Sequence, residues 1–251
     1  MKSLLHFELC AESLESALTA QAGGADRIEL CTQLSIGGIT PNPALIAQVV
    51  RSVSIPVHVL IRPRGGNFVY TADEFALIGQ QAIEAKAAGA AGVVIGILLP
   101  SGHIDVPRTR ELVELAAPLK FTFHRAFDES ANLPEALEDI IRTGADCVLT
   151  SGGKPNVSEG AGQLAALQKQ AAGRITLMAG GGITVANILN IAHQSGVRYI
   201  HGSLIRKVSS SDPAIVLPSQ LEHSGMPTIT GEVLLEDVQQ VMRLLRKDAV
   251  A

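Results

Sequence analysis

Four segments spread along the chain share one local pattern, a glycine followed by a short apolar run. They read GGADRIEL from Gly23, AGAAGVVI from Ala88, TGADCVLT from Thr143 and SGVRYIHG from Ser195. A glycine in this position is typical of a helix that ends in a left-handed conformation, and the apolar run is typical of a buried strand. Helices that repeatedly lead into strands predict parallel strand pairing with right-handed crossover connections.

The same alternation extends over the chain and predicts eight strand-helix units. Eight units in 251 residues favour a closed (β/α)8 TIM barrel, of the α/β class, over an open doubly wound sheet. A single domain over residues 1–251 accounts for this length as well as two small domains would. The predicted strands are Phe7–Cys10, Arg27–Cys31, a strand from Val57, Gly92–Leu99, Phe121–Phe127, Cys147–Ser151, Ile175–Ala179 and Arg198–Ser203. The predicted helices are Ser13–Gln21, one from Pro41 or Pro43 to Arg51, Thr71–Ala88, Val106–Ala117, Leu133–Thr143, Gly160–Ala171, Thr184–His193 and Glu232–Arg246.

One segment departs from the alternation. Lys207–Gly231 is polar, contains prolines and separates the last predicted strand from the last predicted helix. It is longer than barrel loops usually are, which predicts a lid, a partner contact or a disordered connection.

Composition and charge exclude several classes of function. With 20 basic and 24 acidic residues the net charge is -4, so bulk attraction to nucleic acid or to an acidic membrane is not expected. No apolar run near Met1 reaches the length of a signal sequence or a membrane span. Three cysteines in a chain this long do not suggest a disulfide framework. These features predict a cytoplasmic protein with free thiols and no membrane or nucleic-acid partner.

The barrel interior is predicted to be unusually polar. One face of each strand must pack on helices, so the opposite face points inward and is identified by subtraction. On the eighth strand both faces are plausible, although His201 and Ser203 share one of them. The inward residues are His6, Glu8, Cys10, Arg27, Glu29, Cys31, His58, Arg62, Val94, Gly96, Lys120, Thr122, His124, Val148, Thr150, Thr176 and Met178.

Buried charges must be paired or must hold a ligand, because an unpaired buried charge costs several kcal/mol or more. In the purely structural alternative, Glu8, Arg27 and Glu29 neutralise one another on neighbouring strands. In the catalytic alternative, Glu8 or Glu29 is a general base and His124 is an acid or electrophile, near the strand ends where barrel active sites are built. Asp128 could orient a neighbouring group.

Two stretches predict a site for a small carboxylate or phosphate. Arg62 and Arg64 follow a strand that is apolar on both faces, and Gly65 and Gly66 come directly after them. The AGGGI stretch, which contains Gly181 and Gly182, follows the seventh strand, and Ser203 follows the eighth, where barrels frequently bind phosphate. The inward Thr150 is a further candidate contact. The alternatives are arginines that pair within the scaffold and glycines that only make a tight turn.

The thiols suggest a different chemistry. Cys10 and Cys31 end adjacent predicted strands and point the same way, so both sulfurs could reach one soft ion such as Cu(I). The alternative is that they pack as small apolar side chains, which is common for free cysteine. Cys147 begins its strand at the opposite end of the barrel and is predicted to face helices.

Four segments together resemble the CutC family: GGADRIELC from Gly23, IRPRGGNFVY from Ile61, FHRAFD from Phe123, and TSGG with MAGGGI further on. The resemblance implies a cytosolic barrel protein traditionally described as a copper homeostasis protein, and it implies a homo-oligomer, with a dimer favoured. Mapped onto this chain, thiol ligation of Cu(I) would use Cys10 and Cys31. Two hypotheses therefore stand: a Cu(I)-binding homeostasis protein, and an enzyme of unassigned reaction that acts on a small anionic metabolite.

Overall fold

A computed structural model describes residues 4–207 and 231–250 and contains a closed barrel of eight parallel strands in sequential order. The predicted TIM barrel is therefore confirmed. The strands are β1 (His6–Ala11), β2 (Arg27–Leu30), β3 (Val57–Leu60), β4 (Gly92–Ile95), β5 (Lys120–Phe123), β6 (Cys147–Thr150), β7 (Thr176–Ala179) and β8 (Tyr199–Gly202). The helices around them are α1 (Leu14–Gly23), α2 (Pro43–Ser52), α3 (Ala72–Ala87), α4 (Val106–Ala116), α5 (Leu133–Thr143), α6 (Val157–Ala171), α7 (Ile188–Ser195) and α8 (Leu235–Val250).

Side-chain caps fix where several helices begin. Thr71 and Glu74 form a reciprocal capping box at the start of α3, and Asn132 caps α5 by accepting the Glu135 N–H. The repeated glycines end helices as predicted: Gly24 and Gly144 follow α1 and α5 with φ of 88° and 86°. Each lies in the left-handed region that residues with a side chain rarely adopt.

Several element boundaries differ from the sequence prediction: β4 ends at Ile95 instead of Leu99, α6 begins at Val157 instead of Gly160, and α7 begins at Ile188 instead of Thr184. Two further differences have a clear structural cause. The fifth strand ends at Phe123 instead of Phe127, because Arg125–Glu129 forms a short 3-10 helix. Glu232 does not begin the last helix, since Gly231–Val233 forms strand β10, which pairs antiparallel with β9 (Ile205–Lys207). The two ends of the predicted long loop therefore lie in a two-stranded antiparallel sheet. The rest of that loop, residues 208–230, for which a lid, a partner contact or a disordered connection was predicted, lies outside the described residues.

The inward face of β6 was predicted wrongly. Val148 belongs to the core between barrel and helices, whereas Cys147 and Leu149 form an interior cluster with Met178 and Tyr199. Thr150 faces outward with Val148. Cys147 is near the amino-terminal end of the barrel, as predicted, but points inside it and not toward the helices. The run CVLT is apolar on both faces, so alternation along it carries no signal of direction.

None of the helices within the described residues is both long enough and apolar enough to cross a membrane.

Candidate functional site

A cavity of about 320 Å³ opens at the carboxyl-terminal end of the strands, where barrel active sites are built. It brings together seven of the predicted site residues, but not Glu8, Cys31, Arg64 or Thr150. Its lining consists of Cys10, Glu29, Leu34, Gly37, Leu60, Arg62, Phe68, His124, Arg125, Leu149, Gly181, Gly182, Ile183, His201, Gly202 and Ser203. We call it the mouth cavity.

Strand register places a charged network beneath this cavity. Glu8 lies opposite His201 on β8 and opposite Arg27 on β2. Its two oxygens are both engaged: Arg27 Nε is 2.5 Å from Oε2, and His201 Nδ1 is 2.8 Å from Oε1. Burial alone would raise the pKa of Glu8, but Arg27 and His201 outweigh it and lower that pKa to about 2. Glu8 is therefore an ionised scaffold group and not an available base, as the structural alternative for this residue predicts.

Glu29 is the second carboxyl of the network and has a different environment. Its side chain is buried in the cavity wall, and its Oε2 has no hydrogen-bond partner within residues 4–207 and 231–250. His201 Nδ1 is 3.9 Å from this oxygen, too far for a hydrogen bond. Burial raises the pKa of Glu29 to about 7, and nearby Glu8 adds to the rise. Glu29 can thus exist in both protonation states near neutral pH.

His201 lies between the two carboxyls, 2.8 Å from Glu8 Oε1 and 3.9 Å from Glu29 Oε2. The sequence alone did not show whether its side chain points into the barrel. Burial would lower the pKa of this imidazole, but Glu29 and Glu8 outweigh it and raise that pKa. Gly180, directly after β7, leaves room here, because a Cβ there would lie 3.3 Å from His201 Cδ2 and 2.5 Å from Leu149 Cδ1. The only sequence signal for this inward direction was that His201 and Ser203 share a face.

His124 lies across the cavity and packs closely against a glycine. A Cβ at Gly96, which directly follows β4, would lie 2.4 Å from His124 Nδ1, so only glycine leaves space for the ring. Nδ1 accepts the Ala126 N–H at 3.1 Å, and within the described part of the chain Nε2 has no partner. Burial, with a contribution from Arg62, lowers the pKa of His124 to about 3. The ring is therefore neutral at physiological pH.

Arg62 is placed at the cavity, but its terminal fork is already occupied. One terminal nitrogen donates to the carbonyls of Ile36 and Gly38 at 3.0 and 2.9 Å, and the other donates to Gly66 at 2.8 Å. Phe68 lies under the guanidinium, 5.0 Å from it. Of the guanidinium nitrogens, buried Nε has no partner in the described residues. Arg62 thus ties two mouth loops together, and its terminal fork is not free to bind a ligand as a bidentate pair.

Arg64 matches the alternative in which the arginines pair within the scaffold and do not bind a ligand. It does not line the mouth cavity. Its Nε is 2.5 Å from Glu74 Oε1, and its terminal nitrogens donate to the carbonyls of Asn67 and Val69. It therefore orders its own loop against the start of α3.

The glycine-rich stretch after β7 forms part of the cavity rim. Gly181 and Gly182 have φ of 99° and 80°, and a Cβ at Gly181 would lie 3.1 Å from Arg125 Nη1. Arg125 is held by Asp128 at 2.8 Å and by the Ser151 hydroxyl at 2.9 Å. Asp128 therefore does orient a neighbour, as the sequence suggested.

Thr150, predicted as a ligand contact, has another role. Its hydroxyl donates to Asp128 Oδ1 and accepts the Gly152 N–H, on the outer side of the barrel. It stabilises the loop after β6 and does not line the mouth cavity. The error follows from the reversed direction predicted for this strand.

Cys10 and Cys31 are neighbours, as predicted. Their sulfurs are 3.4 Å apart, both side chains are buried, and only Cys10 lines the mouth cavity. The hydrogen bond shared with Cys31, together with burial, raises the pKa of Cys10 well above its usual value. Single donor atoms of Cys10, Glu29 and His201 also lie within 4.8 Å of one another. Cys147 is remote from this group, and burial raises its pKa to about 12.

Comparisons with known proteins agree with the resemblance seen in the sequence. A model of the CutC family matches residues 5–206. CutC family proteins of Chromobacterium violaceum and Xylella fastidiosa are 44% and 40% identical to this chain, over 81% and 95% of it and 83% and 87% of their own lengths. The crystal structure of CutC from Streptococcus agalactiae, described as a copper homeostasis protein, has a TM-score of 0.75 and 31% identity, covering 80% of this chain and 99% of its own.

Proposed function

This chain belongs to the CutC family, and we propose that it is an enzyme that binds a small anionic metabolite in the mouth cavity and moves a proton to or from it. One observation carries the proposal. Among the described residues seven buried side-chain atoms have no hydrogen-bond partner, and three of them, Glu29 Oε2, Arg62 Nε and His124 Nε2, belong to residues lining this one cavity.

Unpartnered polar atoms are costly, which is why their clustering points to a ligand. Leaving one buried donor or acceptor unsatisfied costs about 1–3 kcal/mol, and native proteins contain few such groups. Three around one cavity are difficult to explain as structural elements. A bound molecule that pairs with them would recover this cost, as expected of a preorganised site.

Glu29 is the proposed base. Its pKa of about 7 means that a fraction of the carboxyl is ionised at neutral pH, while the conjugate acid remains accessible for return of the proton. Glu8, which is paired with Arg27, holds His201 beside it, 3.9 Å from the unpaired oxygen of Glu29. A base with its pKa near the working pH is what proton transfer favours.

The anionic part of the metabolite is proposed to lie at the rim. Gly181, Gly182 and Ser203 follow the seventh and eighth strands, where barrels frequently bind phosphate or carboxylate through backbone N–H groups. Arg125 lies beside Gly181 and adds a guanidinium that Asp128 and Ser151 hold in place. These groups support an anionic ligand over a neutral one.

A metabolite-binding screen tests this proposal. Thermal shift and calorimetry are applied to the purified protein with a library of phosphorylated and carboxylated metabolites, with and without Cu(I). We expect at least one anionic compound to bind, and we expect Glu29→Gln to abolish its turnover while leaving its binding within about tenfold. The exposed Glu111→Gln is the matched control and should behave like the parent. If no anionic compound binds, or if the Glu29 variant turns substrate over normally, the proposal fails.

A second candidate function is Cu(I) binding, favoured by the pair of sulfurs 3.4 Å apart. Two thiolates are soft donors that suit Cu(I). With metal–sulfur bonds of about 2.3 Å, two sulfurs on one tetrahedral ion lie about 3.8 Å apart, so Cys10 and Cys31 would fit after separating by a few tenths of an ångström. Both thiols would have to lose protons in a buried place next to carboxylates that raise the Cys10 pKa. This is why we place copper second.

Cu(I) titration with a competing chelator tests the copper candidate. The double variant Cys10→Ser, Cys31→Ser should lose all tight stoichiometric binding, whereas Cys147→Ser should keep it. Equal titration of all three proteins would show that the paired thiols only pack together. A cytoplasmic location, which keeps thiols reduced, and a homodimer remain predictions, to be measured by fractionation and by light scattering.

A further inference from the structure

We propose that His124 is a neutral N–H donor to a carbonyl oxygen of the ligand. The substrate is then a carbonyl compound with an anionic group. The reaction begins by removal of the proton on the carbon next to that carbonyl. The inference rests on the proposed function and adds to it the substrate class and the type of reaction. It depends on which nitrogen of His124 carries the proton, and on which partners the three unpaired atoms of the mouth cavity require.

The tautomer of His124 follows from one hydrogen bond. The Ala126 N–H donates to Nδ1 at 3.1 Å, and a ring nitrogen that accepts a hydrogen bond cannot itself carry a proton. In the neutral imidazole the proton is therefore on Nε2. This Nε2 is buried, belongs to a residue that lines the cavity, and has no acceptor among the described residues. The ring is a donor that lacks its acceptor.

Packing holds the donor in place. Gly96 lies against one side of the ring at a distance that excludes any Cβ, and the centroid of the Phe68 ring is 4.8 Å from that of His124. The lowered pKa keeps the ring uncharged well below pH 6, so it donates as a neutral imidazole and not as an imidazolium. A fixed dipole in a low-dielectric cavity stabilises charge that develops on an oxygen without needing to reorganise.

The unpaired atoms of the cavity specify what a ligand must offer. Arg62 Nε and His124 Nε2 are donors that need acceptor oxygens, and Glu29 Oε2 is an acceptor that needs a proton donor. Inorganic phosphate or a simple dicarboxylate supplies acceptor oxygens but no C–H made acidic by a neighbouring ketone or aldehyde carbonyl. A carbonyl compound supplies an acceptor oxygen and, on the next carbon, a C–H made acidic by that carbonyl. The carbonyl class satisfies both donors and also provides a C–H proton for Glu29 to remove.

The step balances without any further reactant. Ionised Glu29 takes the proton, the C–H electron pair forms a carbon–carbon double bond, and the carbonyl electrons move onto oxygen. The resulting enolate oxygen accepts hydrogen bonds from His124 and Arg62. Glu29 then returns the proton to the same carbon or, in an isomerisation, to the neighbouring one. A carboxylate base with a neutral imidazole is a known solution for this chemistry in a barrel.

The test compares an enolate mimic with a matched anion. The probes are phosphoglycolohydroxamate, whose planar oxygens resemble an enediolate, and ethyl phosphate, which carries a phosphate but no carbonyl or carboxylate oxygen for His124. The parent protein should bind the hydroxamate at least tenfold more tightly. His124→Phe should lose that advantage, and His124→Gln, which keeps an N–H, should retain part of it. The exposed His103→Phe is the control.

Nitrogen NMR on the unaltered protein gives a second readout that does not depend on how variants fold. The proton of His124 should be on Nε2, and its resonance should move downfield when the hydroxamate is added. A proton on Nδ1, or an unmoved resonance in the bound state, overturns the inference. If ethyl phosphate binds but the hydroxamate has no advantage, this inference fails and the proposed function stands. If neither probe binds and the metabolite screen is also negative, both fail.

Discussion

Replacing Glu29 by Gln should make the protein more stable at neutral pH and leave its stability unchanged in acid. The pKa of Glu29 is about 7 in the folded chain, against a usual value of 4.5 that we assign to the unfolded chain. The folded protein therefore holds this proton at pH values where the unfolded chain has released it. Between pH 4.5 and 7 the free energy of unfolding must fall as pH rises. At about 1.4 kcal/mol per pH unit, the loss reaches roughly 3 kcal/mol above pH 7.

Gln has the shape of the protonated carboxyl but cannot ionise, so Glu29→Gln escapes this loss. The pKa of about 7 already includes the attraction between Glu29 and His201. We therefore expect the variant to be more stable than the parent by about 3 kcal/mol at pH 8 and by nearly nothing below pH 4.5. Urea unfolding followed by circular dichroism at half-unit steps from pH 4 to 8 measures this difference, with Glu111→Gln as control. Parallel profiles for Glu29→Gln and the parent would refute a raised pKa at Glu29.

Three other changes test the scaffold around the cavity. Gly96→Ala should destabilise the protein by about 1–3 kcal/mol and displace the His124 ring, seen as altered ring resonances, because its Cβ would lie 2.4 Å from Nδ1; an unshifted ring would contradict the packing. Arg62→Lys should cost roughly 2 kcal/mol in urea unfolding, since lysine cannot keep all three carbonyl contacts, and an unchanged stability would show that those contacts are not formed. Arg27→Met should cost about 3–5 kcal/mol at pH 7 and less near pH 3, where Glu8 can protonate once its cation is gone; an equal cost at both pH values would exclude the ion pair as the cause.

The barrel could be predicted from the sequence because its signals are local and repeated. Each helix-ending glycine and each apolar run indicates the structure of its own segment. Eight successive strand-helix units are compatible with only a few chain topologies. The polar interior was also predictable where one strand face is apolar and the other is not, as in the first strand with Glu8 and Cys10. It was not predictable on β6, where both faces are apolar and the pattern has no period.

The roles of the site residues were harder to predict, because they depend on partners brought together from distant segments. Glu8 and Glu29 look alike in sequence, yet Arg27 and His201 occupy both oxygens of Glu8, while one oxygen of Glu29 has no partner in the described residues. Arg62 was predicted as a fork for an anion, but Ile36, Gly38 and Gly66 present carbonyls to it from neighbouring loops. No local pattern in a single strand reports such contacts.

A crystal structure of the protein with the tightest anionic ligand from the metabolite screen tests the central claim most directly. We predict electron density in the mouth cavity with ligand atoms about 3 Å from Arg62 Nε, His124 Nε2 and Glu29 Oε2, the distance of a hydrogen bond. The anionic group should lie against Gly181, Gly182 and Ser203. A ligand bound elsewhere on the chain, with the three atoms of the cavity still unpaired, would contradict the account.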